Sequence, residues 1–272
     1  MSLRIMNNVE AQFAHRQLSL TNGKLNKSLE KLSSGYRINH AADDAAGLAI
    51  SEKLRTQVNG LEQSRRNIMD GISLLQTAEG GLDELHSILQ RMRVLSIQAS
   101  NGTLTTTDRG LIQSEVDQLL CEIDRMSSTV TFNNIQLFNY TDGSLKIQAG
   151  ASQGQTLTVT LSSISTTDLS IDGLSITSTT GAESAITLLT TAIDNISRRR
   201  ATIGAMQNRL EHTYNFAGIS RENQMAAESR IRDVDFAEEM ITFTKTQILA
   251  QAGNSMLAQA NLRPQAVLQL LG

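Results

Sequence analysis

The sequence is short of the residues that close a dense globular core. Its 272 residues include six Phe, three Tyr and no Trp, so a compact core built on large aromatic side chains is a poor expectation. One proline, Pro264, leaves almost nothing to forbid long helices. One cysteine, Cys121 in QLLCEIDRM, cannot form an intramolecular disulfide and reads as a small apolar residue at a helical position. No apolar stretch is long enough to span a bilayer. The opening MSLRIMNNVEAQF lacks the continuous apolar segment of a cleavable leader. The expectation is a protein that stays in the cytoplasm or leaves the cell without leader cleavage, and that is not held in a membrane. The formal net charge is −3, and the largest basic run, Arg198-Arg199-Arg200, reads as a solvated helix face. Nucleic-acid binding is therefore not expected.

What is present is helical pattern. From Leu3 to Leu32 the apolar positions Ile5, Val9, Phe13, Leu18, Leu25, Leu29 and Leu32 lie near one stripe. Gly35 stands where a helix end favours a left-handed residue, and Asn39 can cap the helix that follows. Asp43 and Asp44 fall at the first turn of that helix, where the dipole favours negative charge. Adjacent helical residues point about 100° apart, so the two carboxylates do not converge on one reacting atom. The next helix should be very long. Steps of four and three from Leu54 reach Val58, Leu61, Arg65, Ile68, Ile72, Leu75, Glu79, Leu82, His86 and Leu89, mostly apolar. This argues for coiled-coil-like packing. Leu85, Ile88, Met92 and Leu95 carry a shifted stripe onward. About 55 residues of helix would extend about 80 Å, with Gly80-Gly81 a local weak point. Asn101-Gly102 reads as a turn and Asp108 as the cap of a third helix to about Ser127.

Between Phe132 and Thr191 the character changes. TLTVTLS, Thr156 to Ser162, alternates as a half-buried strand does. Asp142-Gly143, Gly150, Gly154 and Asp172-Gly173 supply turns. Half of residues 156–191 are Ser or Thr, which reads as exposed surface, with disorder as the competing reading for parts of it. Helical pattern returns near Ala182 and breaks once, around Arg232-Asp233. The last helix is unusual: from Ile241 to Leu262 it carries one charge, Lys245, in 22 residues. A surface helix ordinarily keeps a charged outer face; neutral amides and small residues suit a helix packed on every side. The closing VLQLLG adds apolar side chains that a monomer would leave exposed. The simplest arrangement is antiparallel, with the two termini pairing and packing against termini of other copies.

No chemistry converges. His15, His40, His86 and His212 have no metal-ligand spacing, His-Glu-x-x-His is absent, and Gly23-Lys24 lacks the frame of a phosphate-binding loop. No Gly-x-Ser-x-Gly elbow stands out. No catalytic, cofactor-binding or metal-binding residue is expected. One recognition patch is a candidate, LQRMRVLSIQ from Leu89 to Gln98, where Arg91 and Leu95 are i,i+4 neighbours; ordinary packing between subunits is its alternative reading.

Four blocks together resemble one family: LSSGYRINHAADDAAGLAI (Leu32–Ile50), NIMDGISLLQTAEGGL (Asn67–Leu82), QNRLEHTYNF (Gln207–Phe216) and ENQMAAESRIRDVDFAEEM (Glu222–Met240) are similar to bacterial flagellin. The resemblance implies a mainly α protein, a long coiled-coil-like antiparallel helical rod with a small β-hairpin element. It also implies discontinuous domains formed by both chain halves. Residues 1–39 plus 235–272 would form an inner terminal polymerisation domain, and residues 40–234 an outer rod with a β-rich tip around 132–191. The polymerisation termini would include Ile5, Val9, Phe13, Ile241, Ile248, Leu257 and Leu262. The implied function is a structural subunit that self-assembles into the helical flagellar filament for swimming, exported through the type III apparatus without leader cleavage. Implied partners are other copies of the chain, an export chaperone on the C-terminal helix, and junction and cap proteins. Flagellins recognised by Toll-like receptor 5 carry a segment similar to Arg91 and Leu95 with a glutamate on the next helix, matched here by Glu115; Val94 stands where those proteins often have an acidic residue. Only about fifty residues separate the conserved halves, so the variable outer domains are absent. Asn134 stands where the family usually has glycine, and Cys121 is atypical. A hook–filament junction protein and a secreted adhesin or binding module remain as alternatives.

Overall fold

A computed structural model describes the backbone of residues 8–139 and 144–271, and side chains within that range as far as Leu262. Its described residues form five helices and two antiparallel hairpins: α1 Val9–Ser34, α2 Ala45–Ala99, α3 Thr106–Thr129, β1 Thr131–Phe132, β2 Ile135–Gln136, β3 Ser144–Gln148, β4 Thr156–Thr160, α4 Thr179–Arg232 and α5 Phe236–Leu271. The fold is mainly α with a small β element, as the sequence indicates. Two compact units form, one from residues 1–56 with 223–272 and one from residues 57–222.

In the first unit α1 and α5 run antiparallel. The Asn8 side chain caps α1 by accepting from the Ala11 N–H, and its amide also donates to the Ala260 carbonyl at 2.9 Å. Near the other end of α1, Ser28 donates to Glu239, whose carboxylate also lies 3.7 Å from the Lys31 ammonium. The face of α1 turned inward is Ala11, Ala14, Leu18, Thr21, Leu25, Ser28 and Leu32, and that of α5 is Glu239, Phe243, Thr246, Ala250, Gly253, Leu257 and Ala260. Both follow the three-and-four spacing of a coiled-coil seam. This corrects the stripe read from the sequence: Val9, Phe13 and Leu29 point outward, and small residues take their place in the seam. Small side chains let the helices approach closely; a Cβ on Gly253 would sit 3.2 Å from Leu18 Cδ1.

Gly35, at φ 76°, ends α1 in the left-handed conformation and its N–H reaches the Lys31 carbonyl at 2.9 Å. The cap of α2 is Asp44, not Asn39: its carboxylate accepts from the Gly47 N–H at 2.8 Å. Asp43 belongs to the connection instead, accepting from the N–H groups of His40 and Asn39. The backbone bond from His40, then those from Asn39 and the charge of Lys27, hold the Asp43 carboxyl below its ordinary range. The two connections of this unit are stitched together, with Arg37 N–H donating to Arg232 O at 2.7 Å and Val234 N–H to Gly35 O at 3.0 Å.

In the second unit the α2 seam packs against α3 and α4, with Ile68, Leu75, Leu82, Leu89, Val116, Ile123, Leu189 and Ile196 in one core. Thr105 is the N-cap of α3, and Asp108 completes a capping box from the third helical position rather than acting as the cap itself. Buried Arg109 satisfies the end of α2 by donating to the carbonyls of Ala99 and Asn101 at 2.8 and 3.0 Å. Helix α2 runs unbroken through Gly80-Gly81. Its glycines are seats for the β region: Gly60 faces Ala151, Gly71 faces Ile147, and Gly81 faces the Phe138 ring. The β1–β2 turn is Asn133-Asn134 at φ 49° and 63°. Asparagine tolerates that region, so Asn134 does what a glycine would do there.

The Ser/Thr-rich stretch 161–178 is not exposed surface, as its composition suggested. Leu161, Ile164, Leu169, Ile171, Leu174 and Ile176 are all buried. The stretch is pinned by side chains from the helices. Asp124 accepts from both the N–H and the hydroxyl of Thr166 at 3.0 Å. Gln113 donates to the Leu174 carbonyl at 2.9 Å and accepts from the Ile176 N–H at 2.7 Å, and Arg199 donates to the carbonyls of Ser162 and Ser163.

Candidate assembly surfaces

Within the first unit, the outward residues of the terminal helices are apolar. Phe13 is 60% exposed and Ile241 is 71% exposed, with Val9, Ile248, Met256 and Leu262 similarly open. Leu257 is half-buried on the seam side of α5, and Ile5 lies outside the described residues. An open groove of about 720 Å³ runs between α1 and α5, lined by Val9, Phe13, Leu249 and Met256 among others. A second, shallower apolar face is formed on α5 by Met240, Ile241, Thr244, Lys245, Ile248 and Leu249. The unit has little core of its own. Among its described apolar residues only Ile38 and Ala250 are fully buried, beside Thr21, Ser28, Ser51 and Thr246.

In the second unit, α2 and α3 bring two of the three patch residues together. Arg91 Nη2 and Nε lie 2.7 and 2.8 Å from Glu115 Oε1, and both side chains are open to solvent. Leu95 does not join them: it is 2% exposed, in the core between the helices. The exposed apolar residues nearest in sequence are Val94 and Ile97 on α2 and Leu111, one turn before Glu115 on α3. Periodicity cannot separate these from core positions, because Val94 and Leu95 are adjacent and only packing decides which faces in. Phe216 and Ile219 on α4 are exposed in the same unit and also went unread.

Among the described residues no group of three or more His, Cys, Asp or Glu side chains could hold a metal ion, and no helix is long and apolar enough to cross a membrane. His40 Nε2 lies 2.7 Å from Glu30 Oε1 on the surface, and His86 faces Gln90 at 2.8 Å. Cys121 is exposed.

Residues 5–143 match the family described as the bacterial flagellin N-terminal helical region, and residues 186–271 match the bacterial flagellin C-terminal helical region. The chain belongs to the bacterial flagellins. It is 50% identical over 269 residues to a flagellin of Halalkalibacterium halodurans, covering 98% of this chain and 99% of that protein. It is 45% identical over 306 residues to the flagellin of Bacillus subtilis, covering 99% and 100%. Among solved structures, the crystal structure of Bacillus cereus flagellin is similar with a TM-score of 0.50 at 37% identity, over 56% of this chain and 88% of that one. A putative flagellar hook-associated protein of Vibrio parahaemolyticus has a TM-score of 0.59 at 16% identity, over 70% of this chain and 100% of that one, a likeness of fold alone. As a flagellin, the chain is a structural subunit of the extracellular flagellar filament, into which it self-assembles; the junction-protein and adhesin readings are not favoured.

Proposed function

We propose that α1 and α5 together form the polymerisation surface of this filament subunit, with residues 1–39 plus 235–272 as the inner domain and 40–234 as the outer one. One observation carries this: small residues fill the seam between the terminal helices, while Val9, Phe13, Ile241, Ile248 and Leu262 are turned to solvent. A large apolar side chain gains about 1.5–3 kcal/mol on full burial, and only another molecule can bury these. Leu257 adds to the seam, and Ile5 would extend the α1 surface. Deleting residues 241–272 should abolish filaments in electron micrographs while the helical signal of the remaining chain persists. Normal filaments from the truncated chain would defeat the proposal.

The finer partners follow from the same surfaces. The neutral, apolar α5 suits a chaperone that covers it before export, and junction and cap proteins would meet the subunit at the filament ends. The chain would travel through the type III apparatus without a cleaved leader, and it would have no enzymatic activity. Toll-like receptor 5 recognition is supported by the Arg91–Glu115 pair on one exposed face, with Val94 and Leu111 as the adjoining apolar area in place of buried Leu95. Arg91→Ala should weaken receptor signalling by monomer; unchanged signalling would remove this role.

A further inference from the structure

Helix α5 is uncharged and partly apolar on two opposite faces. Glu239, Thr246, Ala250 and Gly253 face α1, while Ile241, Thr244, Lys245 and Ile248 lie about half a turn round the helix and are exposed. The second set forms a ridge in the sense of helix packing, a row at three-and-four spacing on a convex surface. The α1–α5 groove is its concave counterpart, with Phe13, Leu249 and Met256 in the walls. We infer that the ridge of one copy seats in the groove of the next, making a head-to-tail contact between terminal helix pairs. The inference rests on the polymerisation role proposed above for α1 and α5.

Three observations select this pairing over ridge on ridge or groove on groove. An open helical polymer requires contact between two different patches, since a patch that meets itself closes as a twofold dimer. The one charge on the ridge is Lys245 and the one charge in the groove lining is Glu10. Ridge in groove brings opposite charges together, whereas the symmetric pairings oppose lysine to lysine or glutamate to glutamate. The two patches are also displaced along the helix pair. Contacts from Asn8 to Ala260 and from Ser28 to Glu239 set the antiparallel register, which places Phe13 beside Met256 and about 22 Å from Ile241 along α5. Each added copy is therefore offset from the last, as a growing polymer needs.

That separation supplies the test. Two cysteines bond only with Cα atoms within about 7 Å, so Phe13→Cys and Ile241→Cys cannot bond within one chain. In a Cys121→Ser background, filaments of the double variant should oxidise to a ladder of multimers on non-reducing gels. Mixed filaments of the two single variants should stop at dimers, and filaments of either single variant should stay monomeric. Intact filaments without the 13–241 bond, or dimers of Ile241→Cys alone, overturn the pairing while leaving the polymerisation role standing; filaments from the 241–272 deletion overturn that role itself. If the cysteine variants do not polymerise, charge exchange decides. Lys245→Glu should lower polymer yield at low salt by about threefold, the scale of an exposed ion pair, and adding Glu10→Lys should restore it. Failure to restore overturns the pairing.

Discussion

Gly80 and Gly81 are neighbours in α2 with opposite surroundings. A Cβ at Gly80 meets nothing within 4 Å, whereas one at Gly81 would lie 2.7 Å from the Phe138 ring. Gly80→Ala should raise stability by about 0.5–1 kcal/mol through helix propensity, and Gly81→Ala should lower it by about 1–3 kcal/mol through overpacking. Urea denaturation of the two variants checks the opposite signs. The pair read as one weak point in the sequence because propensity treats both glycines alike; only the ring packed on one of them separates them. A second residue with a measurable signature is Asp168. Hydrogen bonding from the Ser165 hydroxyl, with Ser163 and the Arg199 charge in support, holds its carboxyl below the ordinary carboxylate range. A depressed folded-state pKa contributes stability that is present above the unfolded value, about 3.9, and is lost as pH falls through the lower folded value. Asp168→Asn should therefore be less stable than the parent at pH 7 and converge with it in strong acid, as read by denaturant midpoints across the pH range.

At the scale of elements, helices were legible and irregular structure was not. The α2 seam from Leu61 to Leu89 follows from its spacing, and Ile68, Leu75, Leu82 and Leu89 are indeed buried. The stretch 161–178 has no period, so its apolar residues could not be told from surface until the helices beneath them were in place. Its conformation is held by Asp124, Gln113 and Arg199 instead of a regular ladder. Asp124→Ala leaves the Thr166 N–H without its partner and should cost about 1–3 kcal/mol, visible as a lowered denaturation midpoint. An unchanged midpoint would mean that burial of the six apolar residues alone holds this stretch. In α1 the pattern misled for a different reason. Leu18, Leu25 and Leu32 do lie in the seam, but Thr21 and Ser28 occupy the positions between them and Phe13 faces out. A pattern scored on hydrophobicity assigns the largest apolar residues to the core, whereas two helices in close contact prefer small ones.

At the scale of the whole molecule, apolar burial is divided unequally. Nearly all fully buried apolar side chains belong to residues 57–222, and the unit of residues 1–56 with 223–272 keeps only Ile38 and Ala250. Hydrogen exchange in dilute, monomeric solution should show fast exchange along α1 and α5 and strong protection in α2, α3 and α4 within residues 57–222. The terminal helices should gain protection when filaments form. Equal protection of both units in the monomer would contradict this. The sequence by itself determined the class of fold, the family and the unusual neutrality of α5, because periodicity, composition and motif blocks are properties of the chain as written. Only the tertiary structure decided which apolar side chains are core and which are surface: Leu95 in and Val94 out, Leu18 in and Phe13 out. Neighbours one residue apart have the same hydrophobicity on any scale, and which of them meets water depends on where the next helix lies.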